Sequence, residues 1–407
     1  MRDDVQIVHL SLIGRMPLVL KGSIRRLLGQ TQNLCQICIC RRLFLGCFLL
    51  RLFAFSQTET AASHYNFSQT LTQLAPANLP CNTQALYLQT MIAPLFYSPK
   101  YKTDLGRFGI DKPFALDRGE LVLKRLNEEA AARGAEKIQY RLPEPISDAD
   151  VRLVHTAEYL ETLNDAATWL DIFEFKGNEY IPEKAIEPLP NLIEDLRLKS
   201  GGTLAAAMLS LETGLAASLG GGYHHAFADR GRGYCVINDV AIAIRSMQKS
   251  KLVKNVLIVD LDFHQGDGTA RIFQNDDSVF TFSVHSHEGW PDEKQTSDLD
   301  VPVKESETGC YQELMEAGVK ESLRRFAPDM VLFVAGSDPY EKDVLPGTKF
   351  IRLSLEAMKE RDFYVIDTFA GKGIPLAMVF AGGYGPDVWE VHYWATRRLL
   401  ERAGIIV

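Results

Sequence analysis

The stretch VLIVDLDFHQGDG, Val256 to Gly268, decides the fold. Its opening is a short, unbroken apolar run, the pattern of a strand buried on both faces. Its second half sets Asp260, Asp262, His264 and Asp267 within eight residues. Carboxylates crowded beside a buried strand repel one another and shift toward protonation unless a cation neutralises them. Asp260, Asp262 and His264 stand at i, i+2 and i+4, so an extended chain continuing past the strand points all three to one side.

Two later segments, Met330 to Ala335 and Leu376 to Ala381, are equally short, apolar and turn-bounded, and helical patterns lie between them at Gly309 to Phe326 and Leu353 to Phe369. Buried strands alternating with helices predict an α/β fold, an open parallel sheet in three layers with helices on both faces. Ligands in such sheets sit beyond the carboxyl ends of the strands. The second strand exits into AGSDPY, bringing Asp338, and the third into AGGYG, bringing Tyr384. Asp262, His264 and Asp338 thus form a candidate metal set with an open coordination position. Upstream, Gly220 to Gly222 precede Tyr223, His224 and His225. A permissive glycine run either makes a plain turn or delivers two imidazoles into the site, where each needs a carboxylate to fix its tautomer; Asp260 and Asp267 are the spare acids. Gly202 to Leu219 reads as a small-residue apolar helix, and the segment LGRFGIDKPFALDRGELVLKRLNEEAAARGA ends in a charged one.

The 407 residues divide by charge. Residues 1 to 58 carry eight Lys or Arg against Asp3 and Asp4, leaving a net −14 for the rest. That acidic body argues against direct duplex binding, which relies on neutralising phosphates, and favours cationic partners such as lysine-bearing segments. The basic stretch, free of Asp and Glu from Val5 to Thr58, reads as an organelle transit peptide or a disordered extension. A polar, charge-poor linker runs from Ser56 to about Thr90, so residues 1–90 are expected outside the fold and 91–407 as its single domain. No run reaches the ~20 apolar residues a membrane helix needs; the nearest, Leu43 to Phe55, is interrupted by Arg51. Cys35, Cys38, Cys40 and Cys47 have no second pair at finger spacing, and Cys81, Cys235 and Cys310 are scattered, which fits a reducing compartment without a disulfide framework.

The runs GGGYHHAFADRGRGYCVINDVAIAI, VLIVDLDFHQGDGTARIF, VAGSDPYEKDVLPG and FAGGYG resemble the histone deacetylase family of zinc amidohydrolases, over about residues 92 to 400. DRGRGYC, DFHQGDG, the opening FYSPKY and the SGGTLAAA helix look most like its class IV branch. The resemblance implies that Asp262, His264 and Asp338 bind zinc, and that His224 and His225 are the active-site pair backed by Asp260 and Asp267. It makes Tyr384 the residue that polarises the substrate carbonyl, and Gly233, Tyr234 and Trp290 the lining of an acyl-lysine tunnel. It also implies a structural potassium ion near Asp260, Asp262, His264 and Ser283. Lys112 stands where this branch often has histidine, and Pro346 departs from the family's loop after the third ligand.

The implied activity is hydrolysis of Nε-acyl-lysine in proteins, histones by default, with transcriptional repression through chromatin, corepressor partners and a nuclear or cytoplasmic location. A long-chain lysine defatty-acylase and a small-molecule amidohydrolase of the acetylpolyamine type share nearly all these residues. A dimetal hydrolase of arginase architecture needs a further acid two residues past the DxH, and position 266 is glycine. A non-catalytic acyl-lysine-binding scaffold is the alternative from another class; a pseudoenzyme is expected to have lost a ligand, a histidine or the tyrosine, and all six are present.

Overall fold

The computed structural model describes residues 92–111, 117–175 and 179–406. The basic extension, the polar linker, Cys35 to Cys81 and Lys112 lie outside the described residues. Eight parallel strands form one sheet: β1 (Ile92–Phe96), β2 (Gln139–Arg141), β3 (Leu215–Ser218), β4 (Val256–Asp260), β5 (Val279–Ser286), β6 (Leu299–Val303), β7 (Met330–Val334) and β8 (Leu376–Val379), in the order β2-β1-β3-β8-β7-β4-β5-β6. The longer helices are α1 (Arg118–Ala132), α2 (Ile193–Thr213), α3 (Asp239–Lys249), α4 (Asp267–Phe273), α5 (Tyr311–Arg325), α6 (Leu355–Lys372) and α7 (Trp389–Arg402).

Alternation along each strand sends successive side chains to opposite faces. Leu257, Val259, Val331, Phe333 and Met378 pack against α1, α5, α6 and α7, while Val256, Ile258, Leu332 and Val379 pack against α2, α3 and α4. Both faces are covered, so the central strands carry continuous apolar sequence and no polar face. The predicted three-layer parallel architecture is what forms. A third cluster, built on Trp169, Phe173 and Leu192 from short helices and loops, borders the carboxyl ends of the strands.

Two sequence expectations need correction. The apolar pattern from Gly202 to Leu219 is not one helix: α2 ends at Thr213, Gly214 takes φ +81, and Leu215–Ser218 becomes β3 in the middle of the sheet. Small residues buried on every side carry no period that separates helix from strand. Nor does the extended backbone continue past β4. The strand stops at Asp260, whose Oδ1 accepts from the Asp262 amide at 3.1 Å. The backbone turns there, and Asp260 and Asp262 end on opposite edges of the His224 ring, at Nδ1 and Nε2 respectively.

The order of strands positions the site. From β4 the chain proceeds to β5 and β6 on one side, and returns to β7 and β8 on the other. The reversal between β4 and β7 is where an open α/β sheet leaves a crevice. Among the described residues no helix is long and apolar enough to cross a membrane.

Candidate active site

Four adjacent strands, β3, β8, β7 and β4, deliver the candidate residues from their carboxyl ends. Asp262 and His264 come from the turn after β4 and Asp338 from the turn after β7; one ligand atom from each lies within 4.8 Å of the others, and all three side chains are buried. His264 Nδ1 stands 3.0 Å from Asp338 Oδ2 and 3.3 Å from Asp262 Oδ1. The ligand oxygens are aimed by backbone amides, Phe263 N donating to Asp338 Oδ1 at 2.9 Å and Gly382 N to Asp262 Oδ2 at 2.8 Å.

The crowding of charge in this stretch shows in the titration of its groups. Burial and the neighbouring Asp262 charge push Asp338 up to about 7. Burial works against Asp262 as well, but the histidines His224 and His264 hold it well below the usual carboxylate range. Two carboxylates and an imidazole converging in a buried place form a donor set suited to a divalent cation. Among the described residues it is the group of metal-ligating type that clusters so. A Cβ at position 266 would lie 2.3 Å from Asp260 Oδ2, which leaves no room there for the further acid of a two-metal site.

Both predicted histidine–carboxylate pairs form. His224 Nδ1 lies 2.7 Å from Asp260 Oδ2, and His225 Nδ1 lies 2.7 Å from Asp267 Oδ1. Their electrostatics diverge. Burial disfavours charge on His224, yet Asp260 and Asp262 outweigh it and carry the imidazole to about 10. Burial, reinforced by the His224 charge, lowers His225 to about 4 despite Asp267. Arg232 meets the other oxygen of that carboxylate, its Nη1 lying 3.1 Å from Asp267 Oδ2.

The glycine run does more than turn. Gly222 takes φ +86, and a Cβ on it would sit 2.6 Å from the Cα of Ala381, so the two loops after β3 and β8 touch backbone to backbone. Ala381 N donates to Gly221 O at 3.0 Å across that contact. The approach brings His224 and His225 beside Tyr384. The phenol is pushed well above its ordinary range by burial and by the Asp338 and Asp262 charges, and so keeps its proton.

Gly233 and Tyr234 line the same cavity, a void of about 150 Å³. The Tyr234 and Tyr384 rings stand 6.1 Å apart, and Trp290 packs edge-on against His225 at 4.7 Å. Gly233, at φ +54, faces Trp290 so closely that a Cβ would meet the indole at 2.6 Å. Ser283 is the register partner of Asp260 across β4 and β5, and its Oγ lies 2.9 Å from His285 Nδ1.

Several residues that hold the site went unread in the sequence. Arg361, fully buried in α6, donates to Leu261 O at 3.0 Å and Gly336 O at 2.9 Å, next to the ligand turns, and pairs with Asp362. Asp239 at the start of α3 accepts from Gly222 N and Tyr223 N. Arg118 of α1 donates to Ala381 O and Gly382 O. Asp343 accepts from Tyr384 N at 2.7 Å and from Leu345 N and Thr348 Oγ1, so the loop carrying Pro346 braces the tyrosine. Gln265 also gains a role: it bonds Gln295 through both amide atoms and Asp300 through Nε2, tying the ligand turn to β6 and to the segment before it. Nothing in the sequence sets Arg361 apart, since it lies in the run KERD of a helix rich in charged residues; the others look like ordinary polar residues of loops and helix starts.

Residues 112–399 match the histone deacetylase domain. An uncharacterised protein of Picosynechococcus is 33% identical over 311 residues, covering 76% of this chain and 97% of its own. The acetoin utilization protein AcuC of Bacillus subtilis is 30% identical over 328 residues, 76% of this chain and 81% of its own. Histone deacetylase 2 of Arabidopsis thaliana is 29% identical over 296 residues, 71% and 74% respectively.

Proposed function

The chain belongs to the histone deacetylase family and is a hydrolase of the deacetylase type, and from that premise we propose that it cleaves the amide of Nε-acyl-lysine in proteins, using one zinc ion held by Asp262, His264 and Asp338. The observation that carries the reading is the convergence of that buried triad, two histidine–carboxylate pairs and Tyr384 on one cavity. Bound there, zinc supplies a Lewis acid toward the amide carbonyl and lowers the pKa of its water.

The chain's own groups divide the remaining work. His225, kept neutral, accepts the proton of the attacking water and passes it to the departing lysine nitrogen. His224, kept protonated against Asp260, holds positive charge beside the reacting centre and does not compete as base. Tyr384, kept protonated, donates to the oxyanion as the carbonyl becomes tetrahedral. Gly233 and Tyr234 form the cavity wall that takes the lysine methylenes, and Trp290 packs against Gly233 and His225 at its edge. A potassium ion near Asp260, Asp262, His264 and Ser283 belongs to the same reading, supported by the pairing of Asp260 with Ser283 across two strands.

The finer assignment is to the class IV branch, with histones as substrate, corepressor proteins as partners, and a nuclear or cytoplasmic site of action modified by any targeting that residues 1 to 58 confer. Support comes from the sequence runs of that branch and from the net −14 of the chain after residue 58, which suits lysine-rich segments. The second reading, a small-molecule amidohydrolase, is favoured by the likeness to a bacterial acetoin utilization protein. Assay of the zinc-loaded chain on acetyl-lysine and long-chain acyl-lysine peptides and on acetylated polyamines separates the two, with Tyr384→Phe as control. Turnover of polyamines alone would overturn the protein-deacylase reading.

A further inference from the structure

The cavity that holds the metal cluster does not end there. Besides Asp262, His264 and Tyr384 it is lined by Thr103, Arg118 and Lys199. Lys199 lies in the second turn of α2, between its charged start IEDLRL and the small-residue run SGGTLAAA, and is 7% exposed. Its ammonium donates to Thr103 Oγ1 at 3.1 Å, and among the described residues no carboxylate approaches it within ion-pair distance. The acid one turn back, Asp195, is taken by Arg107 at 3.8 Å. Arg118 also meets no carboxylate; its guanidinium is spent on the Ala381 and Gly382 carbonyls and His392.

A buried ammonium with one neutral partner is costly unless an anion completes it. Burial pushes Lys199 down to about 8, so it stays largely charged at neutral pH. Two cations thus face one void that also receives the acyl group. At about 150 Å³ the void is of the size that holds one benzene-sized ligand in an engineered core. Leu105, Phe173, Leu192 and Leu196 line the same void, so a short acyl chain with apolar methylenes and a charged end matches its size, its walls and its two cations.

We propose that this cavity takes the distal carboxylate of a short dicarboxylic acyl group, so that malonyl-, succinyl- or glutaryl-lysine is a substrate class and Lys199 sets that specificity. The proposal rests on the deacylase reading above. The reaction is the same hydrolysis: the water oxygen bonds to the acyl carbon, the carbon–nitrogen bond breaks, the lysine nitrogen leaves with a proton, and the products are a free dicarboxylate and lysine. No oxidant or reductant is required.

Two measurements on the full chain test it. The first compares kcat/KM for matched peptides bearing acetyl, butyryl, valeryl, malonyl, succinyl and glutaryl lysine on the zinc-loaded protein. At least one dicarboxylic peptide is expected to equal or exceed its neutral counterpart of the same length, with that ratio falling tenfold or more in Lys199→Met and recovering in Lys199→Arg. The second follows the melting temperature of the metal-free protein with free succinate or glutarate. Both should raise it in the wild type, and acetate and neutral amides of matched length should not; the rise should be absent in Lys199→Met. If acetyl and butyryl peptides are cleaved while dicarboxylic ones are not, this inference fails and the deacylase reading stands. If acetate raises the melting temperature as much as succinate does, the cavity merely retains a free carboxylate product, and the substrate assignment is overturned. If no acyl-lysine peptide of any kind is cleaved, the deacylase reading itself fails and takes the substrate assignment with it.

Discussion

Replacing Arg361 by Met tests how the two ligand turns are held together. The guanidinium is fully buried, donates to Leu261 O and Gly336 O, and pairs with Asp362 at 2.7 Å. Those carbonyls belong to the turns that carry Asp262 and Asp338, so one side chain of α6 fixes the spacing of both ligands. Met fills most of the volume but leaves two carbonyls without a donor and Asp362 without a counter-charge. Removing one partner of a buried pair costs about 3–5 kcal/mol. Urea unfolding of the metal-free protein should show a loss of that size with an unchanged denaturant slope. The loss should depend on pH. Burial pushes Asp362 up to about 6 even with Arg361 pulling it down, and without Arg361 it rises further. A carboxyl whose folded pKa lies above its unfolded value holds more protons folded than unfolded, so acidification favours the folded state. The deficit of Arg361→Met is therefore largest at pH 8 and shrinks toward pH 5. Adding Asp362→Leu should recover much of it by removing the orphaned charge. Zinc affinity should fall roughly 10- to 100-fold in Arg361→Met, as for lost support around metal ligands. A loss below ~1 kcal/mol, against the 3–5 expected, or one indifferent to pH would refute the account.

Other consequences rest on single contacts. Tyr384→Phe should lower kcat by ~10²–10³ with little change in KM, as for loss of an oxyanion donor; a KM effect alone would mean that the phenol only binds substrate. Asp338→Asn should purify with much less zinc by elemental analysis while its far-ultraviolet circular dichroism stays that of the wild type; full zinc occupancy would remove Asp338 from the ligand set. Gly222→Ala should destabilise the fold by on the order of 1–3 kcal/mol, because the added carbon meets the Ala381 backbone at 2.6 Å and the residue holds φ +86; an unchanged melting temperature would show that the two loops can separate freely.

Much of the fold was legible because β4, β7 and β8 are buried on both faces and so spell uninterrupted apolar runs, with polar residues bunched where each strand ends. Strand β3 was not legible. Leu215 to Ser218 continue the small-residue composition of α2, and only the break at Gly214 and pairing with β8 make them a strand. The edge strand β2 is three residues long, held by pairing with β1, and has no sequence pattern of its own.

The sequence by itself determined which residue types meet at the strand ends, because ligands two apart in DFH, paired histidines after a glycine run and a lone Asp after an apolar burst are local facts. Asp260 faced His224 only because its own carboxylate captured the Asp262 amide and turned the chain, and that depends on where the strand stops. Arg361, Asp239, Arg118 and Asp343 became visible only in three dimensions, since each serves a carbonyl or amide far away in the chain. Lys199 belongs with them: in the sequence it is one more helical lysine, and burial beside Thr103 and Arg118 made it a charge in need of an anion. Local chemistry is written in adjacent letters, whereas the dielectric around a charge and the partner for a buried carbonyl are set by whichever distant segments the packed sheet brings alongside.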